Sequence, residues 1–280
     1  MSGVDSLRAR IEALREATAP PADQVRAAVS ELLVALEHGN ARAAECVDGR
    51  WIAHGWVKSG ILLGFRFGKN VPYATAGPLH FRDRDTFPTW DPGSTDRDVR
   101  IVPGGSSVRR GAYLGAGVVL MPPCFVNVGA WVGDGTMIDS HALVGSCAQI
   151  GRRVHLSAAA QVGGVLEPIG ALPVIVEDDV FVGGGCGIYE GTRVGTRAVL
   201  AAGVVLTRSV PLYDLVRGEE IRADGGGPLV VPEGAVVVPG SRPASGEFAA
   251  RRGIHLHAPV IVKYRDASTS AAAALEGALR

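Results

Sequence analysis

The sequence predicts a mainly β protein whose central part is a parallel β-helix with three-sided coils. An aliphatic residue recurs every six positions from Val108 to Val162, and the same period resumes from Val176 to Leu206. A small or β-branched residue follows most of these aliphatic anchors by four positions. The 38 glycines, beside only 6% aromatic residues, indicate many tight turns. A period of six fits neither an α-helix nor an ordinary strand, but it fits units of one short strand and one corner, three of which close a coil.

The N-terminal part of the chain predicts helices. Apolar residues recur with helical spacing over residues 5–17 and 21–46, and the prolines at 20 and 21 separate the two helices. Residues 51–67 predict a further helix followed by a strand, and residues 81–98 predict a polar loop.

The regular period is interrupted once, over residues 163–175, where Pro168 and Pro173 occur and the coil is lengthened. This segment predicts an excursion from the β-helix, which is either a tolerated surface insertion or a loop that walls a ligand groove. Beyond residue 210 the sequence predicts a pair of strands, at 228–240 and 258–266, and a last helix at 268–280. The predicted domains are an N-terminal helical domain (1–100), the β-helix (101–210) and a small C-terminal α/β extension (211–280).

Charge and cysteine content restrict the class of protein. Lys plus Arg and Asp plus Glu both total 28, and no block of like charges occurs, so we expect no nucleic-acid partner. The 4 cysteines are far apart and form no C-x-x-C pair, and the N-terminus lacks the apolar core of a signal peptide, which predicts a cytoplasmic protein. The longest apolar runs are shorter than a membrane-spanning helix, so no membrane association is expected.

The repeat alone leaves three functional classes open: an acyl-CoA-dependent transferase, a metal-dependent hydratase and a non-catalytic scaffold subunit. The hydratase needs three histidines that converge on zinc, whereas the β-helix contains only His141 and His155. Asp139 directly follows the anchor Ile138 and is predicted to point outward, and Glu190 lies beside a corner. Each acid is either a solvated surface charge or part of an active site.

A longer stretch of sequence favours the transferase. Residues 135–168 read GTMIDSHALVGSCAQIGRRVHLSAAAQVGGVLEP. This run resembles the 2,3,4,5-tetrahydropyridine-2,6-dicarboxylate N-succinyltransferases, and the resemblance extends to residues 100–130, 237–248 and 258–269. It implies a left-handed β-helix, a homotrimer with active sites between subunits, and transfer of the succinyl group of the co-substrate succinyl-CoA to tetrahydrodipicolinate, with no metal and no tightly bound cofactor.

The same resemblance assigns roles to three residues. Asp139 matches the catalytic and substrate-contacting aspartate of the family, Glu190 its second acidic position, and Arg100 the arginine that holds a substrate carboxylate. The planar guanidinium suits the last role because it can bind a carboxylate in bidentate fashion. We expect Asp139 to accept a proton from the substrate amine and Glu190 to assist, although the two roles could be exchanged.

Further residues are expected to contact the acyl donor. The N–H groups of the glycine corners at Gly163 and Gly183 could stabilise the oxyanion that forms at the thioester carbonyl. Arg208, Lys263 and Arg242 could bind the phosphates of coenzyme A, although each could equally be a solvated surface residue.

The sequence also departs from the family at the predicted site. Residues 184–186 are Gly-Gly-Cys where better-known members carry Ala-Arg-Ser, which leaves open an enzyme that uses acetyl-CoA or another acceptor. An extra residue lies between Arg100 and Val108. His141 stands where others have tryptophan, and it is therefore an alternative to Asp139 as the base. Cys147 and Cys186 are expected to pack as small apolar residues, because direct acyl transfer needs no thiol.

Overall fold

The computed structural model describes residues 3–73, 80–266 and 271. Its N-terminal part combines helices with two short hairpins. In chain order its elements are α1 (Gly3–Glu16), α2 (Ala22–Glu37), β1 (Ala44–Val47), β2 (Arg50–Ala53), α3 (Gly55–Phe67), β3 (Asn70–Tyr73), β4 (Phe81–Arg84) and a 3₁₀ turn (Pro92–Ser94).

The helical prediction is confirmed for α1 and α2, but two details were wrong. The second helix ends at Glu37, and the strand β1 begins within the range that was predicted to be helical. Residues 51–67 contain the strand before the helix, in the reverse of the predicted order. The missed signal is Asp48-Gly49, since both residues have positive φ (49° and 77°), as a tight two-residue hairpin turn requires. The predicted loop over 81–98 begins with the strand β4, which pairs with β3.

The central part is a three-sided parallel β-helix of two-residue strands. These strands are β5 (Arg100–Ile101), β6 (Ser107–Val108), β7 (Tyr113–Leu114), β8 (Val119–Leu120), β9 (Phe125–Val126), β10 (Trp131–Val132), β11 (Met137–Ile138), β12 (Leu143–Val144), β13 (Gln149–Ile150), β14 (His155–Leu156), β15 (Gln161–Val162), β16 (Ile175–Val176), β17 (Phe181–Val182), β18 (Gly187–Ile188), β19 (Arg193–Val194), β20 (Val199–Leu200) and β21 (Val205–Leu206). Every predicted anchor is the second residue of its strand, and every anchor is at most 4% exposed. The period of six therefore located the strands and their inward-facing residues correctly.

Successive strands are distributed over three sheets. Sheet I contains β5, β8, β11, β14, β17 and β20, sheet II contains β6, β9, β12, β15, β18 and β21, and sheet III contains β7, β10, β13, β16 and β19. Neighbouring strands within a sheet are parallel and one coil apart, as in the pairing of Met137 with Val119 and His155. We call the corners between sheets I and II the first edge, those between II and III the second edge, and those between III and I the third edge.

The predicted excursion is present between β15 and β16. Lys58 on α3 is fully buried, and its Nζ donates a hydrogen bond to the carbonyl oxygen of Ala171 (2.6 Å). Leu166 packs against the core of the N-terminal helices. The excursion is therefore attached to α3.

The C-terminal part continues two of the sheets. It contains β22 (Leu212–Asp214), β23 (Glu219–Ile221), β24 (Val230–Val231), β25 (Ala235–Pro243), α4 (Glu247–Arg252) and β26 (His255–Tyr264). β24 extends sheet III and β25 extends sheet I, while β25 and β26 form the predicted pair, a long antiparallel hairpin. The helix predicted at 268–280 lies outside the described residues, except for Ala271, which is helical. No described helix has the length and apolar character needed to cross a membrane.

Candidate active site

Asp139 lies at the first edge, immediately after β11, and contacts a histidine of the next coil. Its side chain points outward and is 28% exposed. The Nε2 of His155 lies 2.9 Å from Asp139 Oδ2, so an N–H at Nε2 donates a hydrogen bond to the carboxylate. Met137 and His155 are neighbours in sheet I, and Asp139 follows Met137 by two positions, so Asp139 lies beside the histidine ring. The structure thus pairs the predicted acid with a base that sequence reasoning had not assigned.

The surroundings of His155 fix the position of its ring. The ring centroid lies 5.3 Å from that of Phe181, which occupies the next outward position of sheet I. The Nδ1 atom makes no hydrogen bond with the residues that the structure describes, and the side chain is 39% exposed. His155 therefore presents one nitrogen to Asp139 and leaves the other available to a ligand. The signal in the sequence was its outward position, one residue before the anchor Leu156.

Arg100 shares a sheet with this pair. It is the outward residue of β5, and the ladder runs from Arg100 through Val119 to Met137. Two coils separate Arg100 from Met137, which is about 10 Å at the usual strand spacing. The guanidinium is exposed and has no hydrogen-bond partner in the described part of the chain. A ligand with a carboxylate several atoms from its reactive centre could therefore contact Arg100 and Asp139 together.

Glu190 lies elsewhere in the chain. It occupies the second edge with a positive φ of 54°, and its Oε2 accepts a hydrogen bond from the N–H of Arg208, one coil further on (2.8 Å). Sheet II separates this edge from the first edge, and Glu190 lies two coils beyond Asp139. Within one chain the two acids therefore do not meet. His141, the alternative base, is exposed at the first edge, and its side chain makes no hydrogen bond with the described residues.

The predicted oxyanion donors are already engaged. The N–H of Gly163 donates to Ile188 O and that of Gly183 to Leu200 O, both at 2.8 Å, as part of the ladders between coils. Neither N–H can also be directed at a thioester carbonyl, so the expectation that these two groups form an oxyanion hole was wrong. The residue after each anchor has its N–H in the ladder, and the sequence period does not reveal this.

The residues predicted to bind coenzyme A lie on different sides of one chain. Arg208 is exposed at the second edge, whereas Lys263 is half-buried in β26 and pairs with Val236 beside sheet I. Arg242 lies near the far end of the β25–β26 hairpin, opposite Leu256. No single-chain arrangement brings these three cations together.

The first edge beyond Asp139 is lined by small residues. A Cβ added at Gly184 would have only the oxygen of Ala158 within 4 Å, at 3.4 Å, and one added at Gly185 would have no neighbour at all. The corners of the successive coils there contribute Ala158, Ala159, Gly184, Gly185, Ala202 and Gly203. This edge therefore carries no large side chain and could accommodate an extended ligand. An arginine at position 185, as in the Ala-Arg-Ser of other members, would project into open space.

The thiols close to these edges are inert packing groups. Cys147 and Cys186 are fully buried, and burial raises the pKa of the first to about 12 and of the second to about 11. Thiolate formation at neutral pH is therefore negligible, and neither residue is suited to be a nucleophile. Among the described residues no group of three His, Cys, Asp or Glu side chains is arranged to hold a metal ion.

The three-sided coil, with one aliphatic anchor every six residues, places the chain in a class, the hexapeptide-repeat proteins. A family model described as the hexapeptide repeat of succinyl-transferase matches residues 173–208. The family model of the tetrahydrodipicolinate N-succinyltransferase N-terminal domain matches residues 6–67.

Relatives over nearly the whole chain identify the family. The 2,3,4,5-tetrahydropyridine-2,6-dicarboxylate N-succinyltransferase of Acinetobacter baylyi is 44% identical over 93% of this chain and 91% of its own. The enzyme of the same name from Caulobacter vibrioides is 40% identical over 98% of this chain and 97% of its own. The chain belongs to the 2,3,4,5-tetrahydropyridine-2,6-dicarboxylate N-succinyltransferase family.

Proposed function

We propose that this protein transfers the succinyl group of succinyl-CoA to the amine of tetrahydrodipicolinate, giving N-succinyl-2-amino-6-oxopimelate and CoA, in cytoplasmic lysine and diaminopimelate biosynthesis. The observation that carries the proposal is the Asp139–His155 pair on the same side of the β-helix as Arg100. Family membership supplies the substrates, since the relatives carry this enzyme name over more than nine-tenths of the chain.

The reaction needs a proton acceptor beside the amine. Water adds to the cyclic imine, the ring opens to an amino ketone, and the neutral amine nitrogen attacks the thioester carbonyl. The new C–N bond forms, the C–S bond breaks, and the proton lost by the nitrogen ends on the departing CoA sulfur. Asp139 and His155 together can accept this proton and return it, because a hydrogen-bonded carboxylate and imidazole share a proton readily. Arg100 holds a substrate carboxylate in this arrangement.

We also propose that the β-helix is left-handed, as in the hexapeptide-repeat family, and that the active sites lie between the subunits of a homotrimer. The support is the separation of Asp139 and Glu190 on different edges, because one substrate can contact both acids only if they come from different chains. The β25–β26 hairpin carries exposed apolar side chains at Phe248, Ile254 and Leu256, which suit it to pack against a neighbouring chain.

Mixed assemblies test the shared site. We expect Asp139→Asn and Glu190→Gln chains to be inactive when assembled separately. After mixing and reassembly, about a quarter of the sites should combine one intact edge from each variant. Recovery of CoA release toward that fraction supports a site between chains. No recovery, with mixed trimers demonstrated by mass spectrometry, would place both acids in one chain's site.

The activity itself is tested by CoA release in the presence of tetrahydrodipicolinate and succinyl-CoA. We expect Asp139→Asn to lose most turnover while the assembly persists, because an outward polar side chain carries little packing energy. His155→Gln should also lose turnover. The matched control is Asp179→Asn, an aspartate at the third edge that pairs with Arg153, and it should retain activity. Loss of the folded assembly in Asp139→Asn would show that this acid is structural.

A second candidate follows from the bare corner at residues 184–186. The arginine that other members carry there is absent, and its place is open space, so a shorter donor such as acetyl-CoA, or another amino-acid-like acceptor, is the alternative. The same assay with acetyl-CoA distinguishes the two, since equal or better use of acetyl-CoA would mean that the donor site has changed. Release of no CoA from either donor would favour a non-catalytic scaffold subunit.

A further inference from the structure

A cavity lies on the opposite side of the β-helix from the Asp139–His155 pair. It has a volume of about 440 Å³ and lies between the β1–β2 hairpin and sheet III. Residues of α2 and the hairpin cover this sheet, so the cavity is enclosed on one side by the N-terminal part of the chain. Neither the family resemblance nor the proposed reaction uses any residue of this cavity.

One wall consists of aromatic rings and a half-buried cation. Tyr113 and Trp131 are stacked, with ring centroids 3.7 Å apart and an angle of 9° between the planes. The guanidinium carbon of Arg42 lies 4.1 Å from the Trp131 centroid and 5.6 Å from that of Trp51. Arg42 Nε donates to Gln149 Oε1 (2.6 Å), and its two terminal nitrogens make no hydrogen bond with the described residues.

The electrostatic situation of Arg42 is unusual for an arginine. Burial lowers its pKa to about 10, although Glu45 and Asp178 at longer range act in the opposite direction. A partly desolvated guanidinium without a directly bound carboxylate leaves donors at the cavity surface that have no partner among the described residues. A ligand carboxylate would satisfy both terminal nitrogens in the bidentate geometry that arginine favours.

The opposite rim carries negative charge. Asp134 and Asp178 each direct one oxygen to the N–H of a neighbouring coil, at 3.0 and 2.8 Å. The second oxygen of Asp178 accepts no hydrogen bond from the described residues, and that of Asp134 lies 3.9 Å from Arg152 Nε. Arg193 Nε donates a hydrogen bond to Glu177 Oε1 (2.6 Å), so the charges of these two side chains neutralise each other. The cavity is therefore positive at Arg42 and negative at the two aspartates, although Arg152 partly balances the charge of Asp134.

The geometry points to a binding site for a free α-amino acid in this cavity. The carboxylate of the amino acid binds Arg42, its ammonium group faces Asp134 and Asp178, and its side chain packs against Trp51. Separated charges of both signs fit a zwitterion. They disfavour a polyanion such as coenzyme A, which would meet the two aspartates.

Calorimetric titration of the assembled protein with each of the standard amino acids, with no substrate present, tests the site. We expect one amino acid per chain to bind, and Arg42→Met or Asp178→Asn to weaken binding at least about tenfold. The matched control is Arg50→Met, which removes an exposed arginine of the same hairpin that does not line the cavity. Asp178→Asn retains the oxygen that accepts the main-chain N–H, so it keeps the proposal testable if Arg42→Met fails to fold.

A second readout comes from Cys46, an exposed thiol that lines the cavity. A bound amino acid should slow its reaction with a thiol reagent in the wild type and not in Arg42→Met. For the amino acid that binds best, the analogue lacking the amine and the analogue lacking the carboxylate should both bind more weakly.

Three results would overturn the proposal: no binding by any amino acid, equal binding by the amine-free analogue, or equal weakening in Arg50→Met. Because none of these measurements involves acyl transfer, failure here leaves the proposed activity untouched, and loss of that activity leaves this site untouched.

Discussion

Gly145 should be intolerant of even one added methyl group. It follows the anchor Val144 at the second edge, where the backbone of the next coil begins the excursion. A Cβ at this position would lie 2.2 Å from the nitrogen of Gly164 and 2.6 Å from the carbonyl carbon of Gly163. The obstacle is main chain, so no side-chain rotation can relieve it. Gly145→Ala therefore forces the two coils apart locally.

The loss of stability in Gly145→Ala follows from the hydrogen bonds between the two coils. Ordinary contact begins near 3.4 Å, so the coils must separate by about 1.2 Å. That movement breaks or lengthens the bonds from Gly145 N to Val162 O (2.8 Å) and from Val165 N to Ser146 O (3.2 Å). Two weakened hydrogen bonds at about 1 kcal/mol each, together with about 1–3 kcal/mol for overpacking, give about 3–5 kcal/mol.

Urea unfolding at a fixed protein concentration measures this cost, because assembly makes the midpoint concentration-dependent. The matched control is Gly170→Ala in the excursion, where an added Cβ has no neighbour within 4 Å. We expect the control to be neutral or more stable by up to about 1 kcal/mol, since alanine restricts the unfolded chain. If the free energies of unfolding of Gly145→Ala and Gly170→Ala differ by less than about 0.5 kcal/mol, the two coils do not approach each other as closely as the structure shows.

Three further predictions concern other parts of the molecule. Glu37→Ala should cost about 3 kcal/mol in urea unfolding, because it leaves Arg110 without the nearly buried carboxylate that it contacts at 3.0 Å; an effect below about 1 kcal/mol would contradict this. Burial and the hydrogen bond to Asp214 raise the pKa of Tyr264 to about 12, so the stability that its hydroxyl contributes is present below pH ~10 and is lost as the pH rises toward 12. The difference in urea midpoint between wild type and Tyr264→Phe should therefore shrink over that window, and a constant difference would refute the reasoning. A thiol reagent should modify Cys46 rapidly in the native protein and the other cysteines, all buried, only on unfolding; a second rapid native thiol would be inconsistent with the structure.

The β-helix could be predicted from sequence because its physics is local and repeated. Each anchor must fill the same apolar interior, so every sixth position must be apolar. A polar residue at one of these positions would have interrupted the pattern in the sequence. Even the glycines after the anchors have a common cause, since at positions such as Gly145 and Gly183 the main chain of the next coil lies within 3 Å of an added Cβ. The N-terminal hairpin was missed because Asp48-Gly49 is a single local signal beside a strongly apolar run, and the run was assigned first.

The candidate site was only partly predictable. Asp139 could be placed on the outside of the β-helix because its position follows from the six-residue count. Arg100 could not, because Ile101, the anchor that follows it, lies seven residues before Val108, so its place in sheet I is known only from the strand pairing. The contact with His155 needs the register between coils together with the direction of a corner side chain, and the period gives only the first of these. The donor role of Gly163 and Gly183 failed for a related reason, since the period marks a corner without showing that its N–H belongs to the ladder.

The position of Glu190 cannot be related to a site from the six-residue period of one chain alone. A period of six assigns every residue to a sheet and an edge, and on that count Asp139 and Glu190 already belong to different edges. What a period cannot supply is a second chain, because an edge that faces a partner and an edge that faces water repeat with the same spacing. The two acids acquire a common function only if the first edge of one chain meets the second edge of another, so the catalytic proposal and the trimer proposal depend on each other. Activity recovered from mixed Asp139→Asn and Glu190→Gln chains is therefore a test of the chemistry as much as of the assembly.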